Sequence, residues 1–364
     1  MFDLIEPTLL LDEEKCLKNI AKMADKASAG NLILRPHFKT HQSRKIGEWY
    51  RKAGVDRITV SSMKMAEYFA VDKWKDITVA VPLNIRETER INGIPVETVL
   101  NLMVESPESI ELAAGKIIRD LNFFIEIDCG YRRTGVDASD YKTIDNILQM
   151  AAKFPRFHFT GFLTHAGNSY KSVSDRDHIL SVHRQSIDCL VTLKEKYSSG
   201  DFTPLLSAGD TPTFSVAEDF GGIDEARPGN MVFYDLAQQR IGSCELNEIA
   251  IAMACPVISK YPERNQIVVY GGGVHFSKDF SFLPGGEKHF GKVVTHNEKG
   301  WNTTETGMYV KALSHEHGII HAPAEATANL NIGDILYILP VHACLTADCM
   351  KSYLTLSGER ISRL

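Results

Sequence analysis

The chain has 364 residues, 44% hydrophobic and 24% charged, with a formal net charge of -6 and a sequence pI near 6.1. That length suits one large barrel with a smaller domain, and the acidic balance argues against a nucleic-acid surface or an anionic membrane as partner. No apolar run approaches the ~20 residues of a membrane span, the N-terminus MFDLIEPTLLLDEEK is too acidic for a secretory leader, and seven cysteines at scattered positions suggest no disulfide framework. A reducing, cytoplasmic setting is therefore expected.

In chain order, EEKCLKNIAKMADKASAG from Glu13 predicts an amphipathic helix, with Leu17, Ile20, Met23 and Ala24 on one face and Gly30 closing it. NLILRPHFKT follows as a strand, SRKIGEWYRKAG as a helix, DRITVSS as a strand, KMAEYFAVDKW as a helix and DITVAVPL as a strand. NLMVES, FFIEIDCG, FTGFLTH, TPLLSAG and ARPGNMVFYD continue the strands, with helical or mixed segments between most of them. These strands are short, apolar and bounded by Gly, Pro or Asp, as buried parallel strands are. Eight such units predict an α/β fold, a (β/α)8 TIM-like barrel over residues 11–241, with a doubly wound sheet as the second choice. Beyond about Gly242 the pattern turns β-rich, in IAIAMACPVIS, RNQIVVYGGGVHFS, MYVKALSHEHGII and DILYILPVHACL. A mostly β domain is expected over residues 242–364, joined by residues 1–10.

Several short stretches carry candidate chemistry. RPHFKTHQS puts Lys39 beside Arg35, His37 and His41 just after an apolar strand. A lysine desolvated there would have a depressed pKa and could form a Schiff base; a solvated lysine at a loop start is the plainer alternative. SAGDTPTF (Ser207 to Phe214) and ARPGNMVFYD (Ala226 to Asp235) put glycines, hydroxyls and amides where late barrel strands end, suited to a phosphate or to ordinary turns. In DCGYRRTGV, Arg133 lies past a strand end and could meet an anionic oxygen or make a surface ion pair. In THAGNSY, His165 could pack on a ring and Tyr170 reach it. In LPVHACLTAD, His342 and Cys344 would share one face of a strand and offer an imidazole and a thiolate, a donor pair that suits zinc at an open site. SHEHG, Ser314 to Gly318, could add a ligand, a contact to one, or a base, with His317 as the catalytic candidate. GGGVHF lacks the third glycine and the helix of a dinucleotide fingerprint.

Taken together, RPHFKTH, DCGYRRTGV, HAGNSY, SAGDTPT, RPGN and PVHAC resemble, in the same order, the motifs of the D-threonine aldolase and D-serine dehydratase family, alanine racemase-like enzymes of pyridoxal phosphate. The resemblance runs over nearly the whole chain. It implies that Lys39 holds pyridoxal 5'-phosphate, that Arg133 faces its phenolate oxygen, and that Tyr170 approaches its pyridine nitrogen with His165 near the ring. Ser207, Gly209, Asp210, Thr211, Gly229 and Asn230 would bind the phosphate, with Tyr234 nearby. His342 and Cys344 would hold a divalent metal, zinc first, with manganese or magnesium as alternatives. The implied activity is a lyase acting on D-3-hydroxy amino acids in a homodimer. The family's dehydratases show H-x-C where its aldolases show H-x-D, so Cys344 points to elimination to an oxo acid and ammonia over cleavage to glycine and an aldehyde. An amino-acid racemase would need a second base that is not evident; a non-catalytic cofactor carrier would not use the metal pair; a metal-only hydrolase would not use Lys39. Asp210 departs from the family's common serine, and an aspartate beside a phosphate is unfavourable unless its carboxylate points away.

Overall fold

A computed structural model describes residues 3–297, 300–302, 304 and 306–364. Two compact units divide the chain: Ala21–Gly229 with Ile241–Ser243 and Leu364, and the stretch up to Ile20 with Asn230–Arg240 and Cys244–Arg363. Among the described residues no helix is long and apolar enough to cross a membrane.

Among the described residues the first unit is a ring of eight parallel strands, with a ninth short one, Val136–Asp137, pairing Leu121–Asp128 off the ring. In chain order they are Ile33–Leu34, Ile58–Val60, Asp76–Pro82, Val99–Val104, Leu121–Asp128, Phe157–His165, Leu205–Gly209 and Glu225–Ala226. The last strand pairs with both Leu205–Gly209 and Ile33–Leu34. The ring shuts where His37 bridges Thr59, held by Phe38 N–H to Thr59 O at 2.8 Å and Thr59 N–H to Pro36 O at 2.9 Å. The strand expected over residues 31–40 thus shrinks to two residues and one bridge, because Pro36 has no N–H to give a ladder. The strand bodies are buried, with Phe123, Phe124, Ile125, Phe162 and Leu206 all fully enclosed, which is why they read as continuous apolar runs. At Gly161 a Cβ would lie 1.9 Å from Leu205 O, so only glycine lets these neighbouring strands approach.

The long helix Glu13–Ala29 forms as expected, but its buried stripe is Cys16, Ile20, Met23 and Ala27. Leu17 is 44% exposed, a correction to the predicted face. The stripe follows the 3.6-residue period from Cys16, and Leu17 sits about 100° away from it.

The second unit is a largely antiparallel sheet. Its longest strand, Ile251–Tyr261, pairs with Thr8–Leu11 on one side and Ile335–Pro340 on the other. Thr8–Leu11 also runs parallel to Ser352–Thr355. The strand expected through His342 and Cys344 stops at Pro340; a helix, Ala343–Met350, begins there with His342 at its N-cap. Asp235 explains the break. Its Oδ2 accepts the Ala343 N–H at 2.8 Å, satisfying one of the donors a helix start leaves open.

Inside the barrel ring lies a polar network. Arg35 donates through Nε to Glu225 at 2.8 Å and through both terminal nitrogens to Asp76 at 2.6 and 3.2 Å. Ser207 Oγ donates to the other Glu225 oxygen at 2.5 Å, and Arg227 donates to Ser207. Burial opposes the Arg35 charge, but Glu225 and Asp76 more than offset it and raise its pKa. Removing one partner of such a group strands the other. Arg35→Met should therefore cost on the order of 3–5 kcal/mol, seen as a lowered melting temperature, whereas Arg57→Met at the partly exposed Asp56 and Asp76 pairs should cost under about 1 kcal/mol.

Candidate active site

The barrel unit gathers its candidate residues where strands end, the face on which barrels place their sites. Lys39 sits on the turn after His37, with its backbone N–H 3.4 Å from His37 Nδ1 and its carbonyl accepting from Gln42 at 3.1 Å. It is exposed, so the burial expected to desolvate its amine is not supplied by the protein atoms around it. Its charge nevertheless reaches His37 and His165.

His165 ends the Phe157–His165 strand. Its Nδ1 lies 2.7 Å from Gly209 O; a carbonyl only accepts, so Nδ1 carries the proton and Nε2 is left as a lone pair. Burial, joined by the Arg133, Lys39 and Arg227 charges, holds its pKa down at about 3 despite the Gly209 bond. His37 is held well below its ordinary value by burial and the charges of Lys39, Arg227, His165 and Arg133. Both imidazoles are therefore neutral within a region made electropositive by one lysine and two arginines. The Tyr131 ring meets His165 edge-on, with centroids 5.6 Å apart. It fills the space over Gly167, where a Cβ would come within 2.4 Å of it.

Tyr170 is 40% exposed, and its hydroxyl accepts the Thr211 N–H at 3.2 Å. Thr211 opens the short helix Thr211–Val216, and its own hydroxyl accepts the Gly229 N–H at 3.4 Å. Asp210 is that helix's N-cap. Its carboxylate takes the Thr213 N–H at 2.7 Å, the Thr213 hydroxyl at 2.6 Å and the Ser169 hydroxyl at 2.9 Å. It is committed to the cap, which removes the objection to an aspartate at this position. Ser207 is committed to Glu225 and Arg227, and Gly209 leaves the room that the Arg227 side chain fills, 2.8 Å from where a Cβ would stand. Arg133 is half exposed, 3.9 Å from the Glu126 carboxylate.

Asn230, Tyr234, His317, His342 and Cys344 fall in the β-rich unit. Asn230 donates to Asp235 at 2.6 Å, and Tyr234 is fully buried with a left-handed φ of 49°. The same Asp235 oxygen that holds Asn230 receives the Ala343 N–H, so one carboxylate ties the Asn230 turn to the helix start bearing His342 and Cys344. His342 Nδ1 donates to Asp279 at 2.8 Å, which depresses Asp279. Burial opposes charge on His342, yet Asp279 and Cys344 together raise it to about 11. The surroundings thus favour a positive charge there, which a divalent cation would supply in place of the proton. Among the described residues no third His, Cys, Asp or Glu completes a metal-holding group around the pair. His317 is exposed at the start of the His317–His321 strand, opposite Tyr270.

Sequence reading missed Tyr131, Ser169, Arg227, Asp235 and Asp279. Four lay inside quoted motifs: Tyr131 in DCGYRRTGV, Ser169 in THAGNSY, Arg227 in ARPGN and Asp235 at the end of MVFYD. Asp279 had no signal, because 63 positions separate it from His342.

The parallel ring with its lysine-bearing turn, and the β-rich unit bearing His342 and Cys344, define a barrel enzyme of the alanine racemase-like class. The chain belongs to the family of the alanine racemase N-terminal domain, whose model matches residues 11–237; residues 250–356 match the putative serine dehydratase domain. It is 27% identical to a D-serine dehydratase of Dictyostelium discoideum, over 97% of this chain and 93% of that one. It is 28% identical to a D-threo-3-hydroxyaspartate dehydratase of Delftia sp. (strain HT23), over 97% and 94%. The solved structure of a metal-free cysteine-to-alanine variant of a D-threo-3-hydroxyaspartate dehydratase superposes with a TM-score of 0.88 at 27% identity, covering 99% of this chain and 98% of that one. A histidine-to-alanine variant, altered two positions earlier, gives 0.86 at 26%, covering 99% and 95%.

Pyridoxal phosphate carries a dianionic phosphate and an anionic ring oxygen. The residues fit it: cationic Lys39 and Arg133, the Tyr170 and Thr211 hydroxyls, and two neutral imidazoles in a region with excess positive charge.

Replacing the cap tests the local design. Asp210→Ala should cost about 1 kcal/mol, with Asp210→Asn retaining most of the stability. The pH dependence has a definite sign. Burial raises Asp210 from 3.8 to about 6, so the folded chain keeps a proton that the unfolded chain has released. The wild type should then lose stability relative to Asp210→Asn as pH rises between those two values, read by thermal melting across the interval.

Proposed function

We propose that this chain is a pyridoxal-phosphate- and divalent-metal-dependent lyase acting on D-3-hydroxy amino acids, and that it eliminates the β-hydroxyl to give an oxo acid and ammonia. The reading rests on two features taken separately: an electropositive, imidazole-lined barrel mouth around Lys39 in one unit and, in the other, the His342 imidazole backed by Asp279 and followed two positions on by the Cys344 sulfur. Full-length similarity to dehydratases of D-serine and D-threo-3-hydroxyaspartate supports it. So do the metal-free cysteine variant of one such relative and the histidine variant two positions away, the spacing of His342 and Cys344.

Pyridoxal phosphate, when bound, supplies an electron sink for the pair released at the substrate's Cα. Lys39 would hold it and, once displaced by the substrate amine, take the α-proton on Nζ. Arg133 would neutralise the ring oxygen. His165, kept neutral with its proton on Nδ1, would bring a lone pair and no charge to the cofactor's surroundings. Tyr170 and Thr211 would orient the phosphate and ring edges. His342 and Cys344 would hold the metal, with zinc favoured by the nitrogen–sulfur donors, and the metal would supply Lewis acidity toward a substrate hydroxyl. Asp279 would fix the His342 tautomer. Asp210 and Ser207 would act by shaping the loop. In this reading the protein is a homodimer in the cytoplasm, a compartment that suits seven cysteines joined by no disulfide.

The deciding assay offers D-serine, D-threonine and D-threo-3-hydroxyaspartate to purified protein with pyridoxal phosphate and zinc or manganese. Ammonia with oxo acid, abolished by chelation and reduced at least about tenfold in Cys344→Ala, is the expected result. Glycine with aldehyde would replace elimination by carbon–carbon cleavage. Asp279→Ala should weaken metal affinity by about 10–100-fold with the cofactor's visible band unchanged, measured by chelator competition.

A further inference from the structure

One buried group lies outside the roles above. Glu105 follows the Val99–Val104 strand and Glu126 lies in the neighbouring Leu121–Asp128 strand. Their register pairs Met103 with Phe124 and Val104 with Ile125; one residue further it sets Glu105 beside Glu126, about 4.8 Å away across the ladder. Glu126 is 2% exposed. Its Oε1 accepts from Thr134 Oγ1 at 3.1 Å and faces Arg133 at 3.9 Å. Its Oε2, and Oε1 of Glu105, are both enclosed and receive no hydrogen from any donor among the described residues. Two adjacent, buried acceptor atoms with no donor between them cannot both belong to ionised carboxylates, since each would bear the full cost of an unpaired charged acceptor beside a like charge.

We propose that Glu105 and Glu126 share a single proton at neutral pH, and that this singly charged acid pair is a positioning device that holds the Arg133 guanidinium at the barrel mouth. The role given to Arg133 rests on the cofactor reading above; the shared proton does not.

The other surroundings agree. The charged groups bearing on Glu126 are Glu105 from the preceding strand, Arg133 from its own loop, and Arg227 beyond the last strand. The following strand presents Leu163 in register, which adds no charge. Burial first, then the Glu105 carboxyl, pushes Glu126 up from 4.5 to about 8, against the Thr134 bond and Arg133. A proton-sharing pair keeps one negative charge facing Arg133. Two ionised carboxylates would repel each other, and two neutral acids would leave Arg133 without a counter-charge.

The folded state therefore holds a proton that the unfolded chain releases near pH 4.5, and the stability it brings is lost as pH rises toward about 8. Glu126→Gln and Glu105→Gln each replace the shared proton with a permanent amide donor while keeping one carboxylate. The test compares wild type, these two variants and Glu126→Leu, as isolated protein, by three readouts across that pH range: infrared absorption of protonated carboxyl groups, melting temperature, and pyridoxal-phosphate affinity from its visible band. Expected for the wild type is a protonated-carboxyl band at neutral pH that disappears through about pH 8, together with a fall in melting temperature over the same range. Between about pH 7 and 8, above the range in which Asp210 releases its own proton near 6, both Gln variants should lack the band and the fall. Glu126→Leu should bind the cofactor about tenfold more weakly than Glu126→Gln at neutral pH, the loss of one charge-assisted contact. No band, with the same melting profile in wild type and Gln variants, overturns the shared proton. Equal affinity of the Leu and Gln variants overturns the positioning role. A protein that takes up no cofactor sinks the cofactor reading and the Arg133 role with it, while the infrared and melting results still decide the proton.

Discussion

The Arg35 guanidinium inside the barrel ring is the interaction on which the rest of that unit depends. It joins Asp76, at the start of the third strand, to Glu225, at the start of the last, and through Glu225 to Ser207 in the seventh. Strands far apart in sequence are thereby tied by charge as well as by ladder bonds. A buried guanidinium is tolerable only when its donors are met by fixed carboxylates. That requirement sets where these strands begin, and hence where their far ends, with Lys39, His165, Gly209 and Arg227, come out.

The mouth of the ring is built on the opposite principle. Cations are gathered with too little acid to balance them, and burial first, then these charges, keeps the neighbouring imidazoles neutral. Such a surface is poorly stable in isolation and well suited to an anionic cofactor, whose charges supply what the protein withholds. The acids that are present are already engaged: Asp210 in a helix cap, Glu225 with Arg35, and Glu126 with its neighbour. The excess positive charge is therefore left to the ligand.

The β-rich unit uses carboxylates to place a soft donor pair. Asp235 secures the first N–H of the helix behind His342 and also the Asn230 side chain, while Asp279 takes the other ring nitrogen of His342. Starting a helix at Ala343 leaves Cys344 near enough to His342 to favour a charge on its imidazole. A strand would also have put them on one face, but without a backbone donor for Asp235 to hold.

Much of this was legible in the residues. Apolar runs bounded by Gly, Pro and Asp mark the eight barrel strands because both faces of a parallel sheet are covered, and the change to alternating β-rich patterns near residue 242 marks the second architecture. The ordered motifs marked the candidate cofactor and metal residues, since each stands within a few positions of a strand end. The sequence by itself determined which elements form and which side chains stand at their tips, because those follow from local periodicity and turn chemistry. Only the tertiary structure decided which tips are paired: that Leu17 faces out and Cys16 in, that Lys39 stays exposed, that Asp210 turns into its own helix, that Asp279 meets His342 and Arg227 meets Ser207, and that strand register sets Glu105 beside Glu126. Those are contacts across tens of residues, set by strand register and burial, and no local pattern encodes them.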